Sequence, residues 1–165
     1  MAKKKSKSNL GKVLGIVAAI LGLVAICMIF IDTIKVPDTK LLGKVVEGEG
    51  YTGLEVVFGF KTDDVAVFDF SIMALLPYVL IIAGIVFSVV NAKSKKGNKI
   101  LDFVTTGLFL VAAVLCFLMP SFVVCADTIL GKIAEEIEYD VTTGAVVAAG
   151  ASLVAAVVTG VKAVK

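Results

Sequence analysis

Four long apolar runs, Val13–Ile31, Ser71–Val90, Ile100–Val124 and Gly144–Val161, divide this chain, and its lysines sort by the side on which they fall. Lys3, Lys4, Lys5, Lys7 and Lys12 precede the first run. Lys93, Lys95, Lys96 and Lys99 fill the gap between the second and third, and Lys162 and Lys165 follow the fourth. Runs of about 18 or more apolar residues can cross a hydrocarbon core of about 30 Å as helices. Lysine in alternate connecting segments is the product of the positive-inside rule in a four-span protein with both ends in the cytoplasm. The fold expected is therefore an all-α integral membrane protein. It would be a four-transmembrane-helix bundle with a small extracellular β-hairpin or meander between helices 1 and 2.

Apolar residues make up 59% of the chain, above the roughly 45–50% usual for soluble proteins. A net charge of only +2 hides the sorting. The inner segments carry eleven lysines against Asp102, a balance of +10, and the outer ones carry Lys35, Lys40, Lys44, Lys61 and Lys132 against thirteen acids, a balance of −8. The expected localisation is the plasma membrane. The first run has the basic start and apolar core of a signal peptide, but about 19 apolar residues exceed the usual core of about 7–15. No small-x-small site precedes Asp32, and Val24-Ala25-Ile26-Cys27 lacks the small residue before cysteine that a lipoprotein box needs. An uncleaved helix is expected.

Residues 1–12 read as a disordered lysine-serine tail resting on anionic membrane lipid, where each lysine contributes on the order of 1 kcal/mol. The outer segment 32–70 carries Pro37, recurrent glycines (Gly43, Gly48, Gly50, Gly53, Gly59) and three β-favouring stretches, Lys44–Glu47, Leu54–Phe58 and Val65–Phe68. Two or three short strands with glycine turns follow from that pattern. A segment this short is too small for a core of its own, so it must lean on helix ends, on the second outer loop or on another protein. The link 91–99 makes the second and third helices antiparallel neighbours. In the second outer loop, 125–143, Ile129, Ile133 and Ile137 recur every four residues beside Leu130, the period of a short amphipathic helix. The fourth run is valine, alanine, glycine and threonine with a single leucine, Leu153, and needs its neighbours to insert; residues 162–165 follow as a cytoplasmic tail.

Small residues mark the helix-packing candidates: Gly11, Gly15 and Gly22 on the first helix, and Gly144, Ala148, Ala151 and Ala155 on the fourth. Without a hydrophobic drive between helices in lipid, such faces let backbones approach closely. Packing inside one bundle is the expectation, and a homo-oligomer interface is the alternative. Asp102 is the acid nearest a span interior; at a helix start beside Lys99 it is favoured by the helix dipole. Pro77 and Pro120 can kink or end their helices. Cys27 and Cys125 lie at similar depth and are the pair a disulfide would join, but free thiols are the ordinary state of such cysteines.

The absence of histidine removes the commonest proton shuttle and metal ligand. No glycine-lysine phosphate loop and no HExxH helix occur, and all-lysine basic usage is poor for bidentate phosphate recognition. These features point away from an enzyme, from a bound cofactor and from nucleic acid. Asp63, Asp64 and Asp69 with Glu135, Glu136, Glu138 and Asp140 could supply oxygen ligands to a hard cation, but a solvated acidic surface is the plainer reading. The outer interaction-surface candidates are Val56, Phe58, Phe60, Glu135, Glu136 and Glu138.

In layout the chain resembles the claudin-type tetraspans, with a large β-bearing first outer loop, a short inner link, a smaller second outer loop and both ends inside. Of that family's first-loop signature only Gly53-Leu54 can be matched; the tryptophan and the two cysteines are missing, and no functional residue is carried over. The function expected is a structural or accessory subunit that binds a partner membrane protein or itself through its outer face. An oligomeric channel or transporter subunit is the alternative.

Overall fold

The computed structural model describes residues 2–41, 44–46, 48–94 and 98–164. Gly43 and Glu47, the link residues Lys95 and Lys96, and Lys165 lie outside the described residues. The elements run α1 (Ala2–Cys27), β1 (Asp32–Lys35), β2 (Thr39–Leu41), β3 (Lys44–Val46), β4 (Gly50–Thr52), α2 (Gly53–Phe58), β5 (Phe60–Thr62) and β6 (Val65–Phe68). They continue with α3 (Ile72–Lys93), α4 (Lys99–Phe117), α5 (Ile129–Glu135), β7 (Asp140–Val141) and α6 (Thr143–Val164). Single 3₁₀ turns follow α1 at Met28–Phe30 and α4 at Met119–Phe122.

Among the described residues four stretches are long and apolar enough to cross a bilayer: Leu10–Phe30, Ile72–Lys93, Lys99–Phe117 and Thr143–Val164. The shortest has 19 residues, a rise of about 28 Å at 1.5 Å per residue. Chain contacts divide the molecule into two compact units, Met1–Ile26 with Pro77–Val114 and Ala148–Lys165, and Cys27–Leu76 with Leu115–Val147.

The first unit is helical, and its small residues face inward while its large ones face out. Ala18, Ala25, Ala112, Ala148 and Ala155 are fully buried, whereas Ile16, Leu23, Ile82, Leu110 and Val157 are exposed. A soluble core inverts that order. A bilayer accepts it, since lipid tails solvate the large side chains and close backbone contact holds the helices. The exceptions include Tyr78 and Ile81 on α3 and Phe109, a fully buried ring on α4. A Cβ built on Gly84 would stand 2.9 Å from its Cζ, and one on Gly22 would stand 3.2 Å from its Cε1 and 2.5 Å from Ile85 Cγ1. The ring therefore occupies room that two glycines on α1 and α3 leave open.

Among its described residues the second unit carries three small sheets. One has strand order β4-β1-β7, all antiparallel, with Ile34 opposite both Tyr51 and Val141. β2 pairs with β3, and β5 with β6. The sheet is thus not confined to the first loop: β7, from the second loop, supplies its third strand. The β5–β6 hairpin turns on Asp63 and Asp64, both at positive φ (48° and 64°), the two left-handed positions of a type I′ turn. Aspartate tolerates that conformation better than most residues, which explains these two acids without a ligand.

Several boundaries differ from the sequence reading. Leu54–Phe58 is helical, because Thr52 and Glu55 form a capping box. Glu55 N–H donates to Thr52 Oγ at 3.3 Å and Thr52 N–H donates to Glu55 Oε2 at 2.7 Å. Residues 2–12 continue α1 rather than forming a separate tail; lysine is a good helix former and no proline interrupts them. α4 ends at Phe117, short of Val124, since Pro120 disfavours helix for the residue before it. α6 runs on to Val164 and takes in Lys162, a residue expected in the cytoplasmic tail. Cys27, Cys116 and Cys125 are all free thiols.

Candidate functional site

In the second unit the sheet is closed by a cluster of rings. Tyr51 from β4 meets Phe68 edge-on at 4.8 Å, Phe60 at 5.4 Å and Tyr139 at 6.4 Å, and Phe68 meets Tyr139 at 5.8 Å. Such edge-to-face contacts add roughly 0.5–1.5 kcal/mol each beyond area burial. Tyr139 donates its hydroxyl to Ala134 O at 3.0 Å, tying the segment after α5 back onto that helix. Burial pushes both phenols above their usual range, for Tyr51 with help from the Glu49 carboxylate. Burial also raises the Cys125 thiol, and Glu135 adds to the effect.

Beside β1 lies a polar cleft of about 430 Å³ lined by Asp32, Lys35, Asp38, Thr142 and Thr143 among others. Asp38 Oδ1 accepts from Gly48 N–H at 2.9 Å and from Lys35 Nζ at 3.2 Å. The backbone bond and the ammonium hold the Asp38 carboxyl below its usual range. At the same edge the Thr142 hydroxyl donates to Asp32 O, and a Cβ on Gly144 would stand 2.6 Å from that oxygen. Gly144 therefore permits a backbone contact between the start of α6 and the start of β1.

α5 places its apolar residues in the opposite sense from the one expected of an amphipathic helix. Its buried residues are the small ones, Gly131 and Ala134. A Cβ on Gly131 would stand 2.0 Å from Ala126 O, so only glycine allows the helix to lie this close to the chain before it. Thr128 caps the helix by accepting from Gly131 N–H at 3.0 Å, and donates its own hydroxyl to Ala66 O of β6. The isoleucines are turned outward: Ile129 is 80% exposed and Ile133 57%. Glu135, Glu136 and Glu138 are exposed beside them.

Of the expected outer-surface residues, Val56 is buried and unavailable to a partner, Phe60 is half-buried in the ring cluster, and Phe58 is exposed. Among the described residues no group of three or more aspartate, glutamate or cysteine side chains could hold a metal ion.

In the first unit the packing candidates contact residues of the same chain. A Cβ on Gly15 would stand 3.0 Å from Ala92 Cβ and 3.5 Å from Lys162 Nζ, and one on Gly11 would stand 3.9 Å from Lys162 Cε. The Gly11–Gly15 pair thus seats the Lys162 side chain. Ala148 and Ala155 are fully buried and Ala151 half-buried. Lys162 Nζ donates to Asp102 Oδ1 at 2.7 Å, with both side chains under a tenth exposed. Asn91 Nδ2 donates to the same oxygen at 2.7 Å and to Asn98 O at 2.9 Å, while Asn98 N–H donates to Asn91 Oδ1 at 2.6 Å. One turn further along α4, Thr106 donates to Thr159 Oγ at 2.9 Å. The acid singled out on the third span is therefore satisfied by partners on α3 and α6. Lys162 lies two residues from the end of α6 and Asp102 three from the start of α4, so similar depth is the signal the sequence holds.

Comparison with known protein families, with curated proteins and with solved structures finds no match to this chain. The functional reading rests on its residues and geometry.

Proposed function

We propose that this chain is a four-span plasma-membrane protein with both termini in the cytoplasm, acting as a structural or accessory subunit rather than an enzyme. It binds a partner membrane protein, or a second copy of itself, through its outer face. The lysine sorting supports the orientation, because basic residues are retained on the cytoplasmic side. The outward isoleucines of α5 carry the binding reading. A small helix is fastened down by Gly131, Ala134 and Thr128 while Ile129 and Ile133 stand exposed, and the exposed carboxylates Glu135, Glu136 and Glu138 follow them in the chain. An apolar centre with a polar rim is the anatomy of a protein interface.

A photo-crosslinking residue in place of Ile129 or Ile133, in cells, tests the reading. Adducts to one membrane protein or to a second copy, absent when the crosslinker replaces Lys61, are expected. Adducts to lipid alone, or none, would refute it. Ion flux through the purified chain in liposomes would favour the channel or transporter alternative.

A further inference from the structure

We propose that α2 and the residues leading into α3 form a foot that rests in the bilayer, with Phe58 and Phe70 at the boundary between headgroups and acyl chains. The inference rests on the four-span reading above and takes Phe58 away from the protein-binding surface. Phe58 is 61% and Phe70 52% exposed, yet their ring centroids lie 6.3 Å apart, so they form one apolar patch.

The depth of that patch is set by backbone. Ser71 N–H, immediately before α3, donates to Val57 O at 2.9 Å, and Ser71 Oγ donates to Phe122 O at 2.6 Å in the turn after α4. On its other side α2 packs alongside the 3₁₀ turn Met28–Phe30 that ends the first apolar stretch. Val56 and Val57 are buried. Phe58 is thereby tied to the ends of three spanning stretches, where Phe30, Ile72 and Met73 are exposed as well. Those residues begin or end the lipid-facing sides of the spans, so the occupant consistent with the patch is lipid.

The backbone of α2 suits that setting. Thr52 and Glu55 close its start, Gly59 N–H returns to Glu55 O at 3.0 Å, and Val57 O is taken by Ser71. Polar backbone groups near hydrocarbon need such internal partners. Phenylalanine is among the side chains that interfacial helices bury at the boundary of headgroups and acyl chains.

The chain has no tryptophan, so single substitutions report one place each. Phe58→Trp, Ile82→Trp and Val65→Trp would be reconstituted in vesicles of phosphatidylcholine brominated either near the headgroup or deep in the acyl chain. Phe58→Trp should lose most of its emission to the shallow bromines and less to the deep ones. Ile82→Trp, on the outward face of mid-α3, should show the reverse, and Val65→Trp should be quenched by neither. If Ile82→Trp escapes both, the four-span reading fails. If Ile82→Trp is quenched and Phe58→Trp is not, the foot is wrong while the spans stand. An unquenched but blue-shifted Phe58→Trp would assign the patch to a protein contact and equally overturn the proposal. Phe70→Trp supplies the same readout should Phe58→Trp fail to fold.

Discussion

Replacing Lys162 with methionine keeps a long unbranched stem in the Gly11–Gly15 groove and removes only the charge. Asp102 then keeps Asn91 as its side-chain donor, in a site where the acid side chain is 6% exposed. At 2.7 Å the lost attraction is about 6 kcal/mol at an effective dielectric of ~20. Part of this is offset because Lys162 no longer has to be desolvated, so a net loss of about 3–5 kcal/mol is expected, the usual result of leaving one buried charge unpaired. Adding Asp102→Asn removes the stranded charge and preserves a polar contact with Asn91. The double variant should therefore recover about 2 kcal/mol or more of that loss, a coupling typical of directly contacting residues. Helix content followed by circular dichroism through a denaturing-detergent titration, on both single variants and the double, gives the cycle. Strict additivity, or a loss under about 1 kcal/mol for Lys162→Met alone, would show that the pair is solvated and that the buried-pair reasoning is wrong.

Gly84→Val forces side-chain atoms into the Phe109 ring and should destabilise by about 1–3 kcal/mol, with Phe109→Leu in the same chain restoring part of the loss in the same titration. Asp64→Gly relieves a non-glycine residue at φ 64° and should raise stability by about 0.5 kcal/mol, read as a shifted unfolding midpoint; an unchanged or lowered midpoint would refute the turn assignment. Tyr51 is buried and Tyr139 half-buried, and both phenols are raised above 10.0. A raised phenol value means that the unfolded chain ionises first, so stability is full below pH 10.0 and falls as pH rises beyond it. Phenolate absorbance should accordingly lag behind that of the unfolded chain, and Tyr139→Phe should lessen the alkaline loss.

The four helices could be read from the sequence because run length alone decides whether a segment can span. Their ends could not. Lys162 looks like a tail residue until α6 is seen to bring it against Asp102, a pairing that depends on the packing of helices far apart in the chain. The short run Leu54–Phe58 is apolar enough for either strand or helix, and β-propensity pointed the wrong way. The sign that decides it was present in Thr52-Gly53-Leu54-Glu55, whose spacing is that of a capping box. In α5 the four-residue period announced a helix correctly, but a period does not say which side is inward. Gly131 and Ala134 bury because they allow the closest backbone approach, which leaves the isoleucines outside. The joining of β7 to β1 depends on two loops meeting, and only the need of the first loop for support hinted at it.

The most direct measurement is the side of the membrane on which the sheet-bearing loops lie. In a cysteine-free chain, Glu136→Cys and Ser94→Cys would be treated in intact cells with a membrane-impermeant maleimide. Labelling of Glu136→Cys at once, and of Ser94→Cys only after permeabilisation, is the expected result. Labelling of Ser94→Cys from outside would contradict the assigned orientation and remove the outer face as the place where a partner binds.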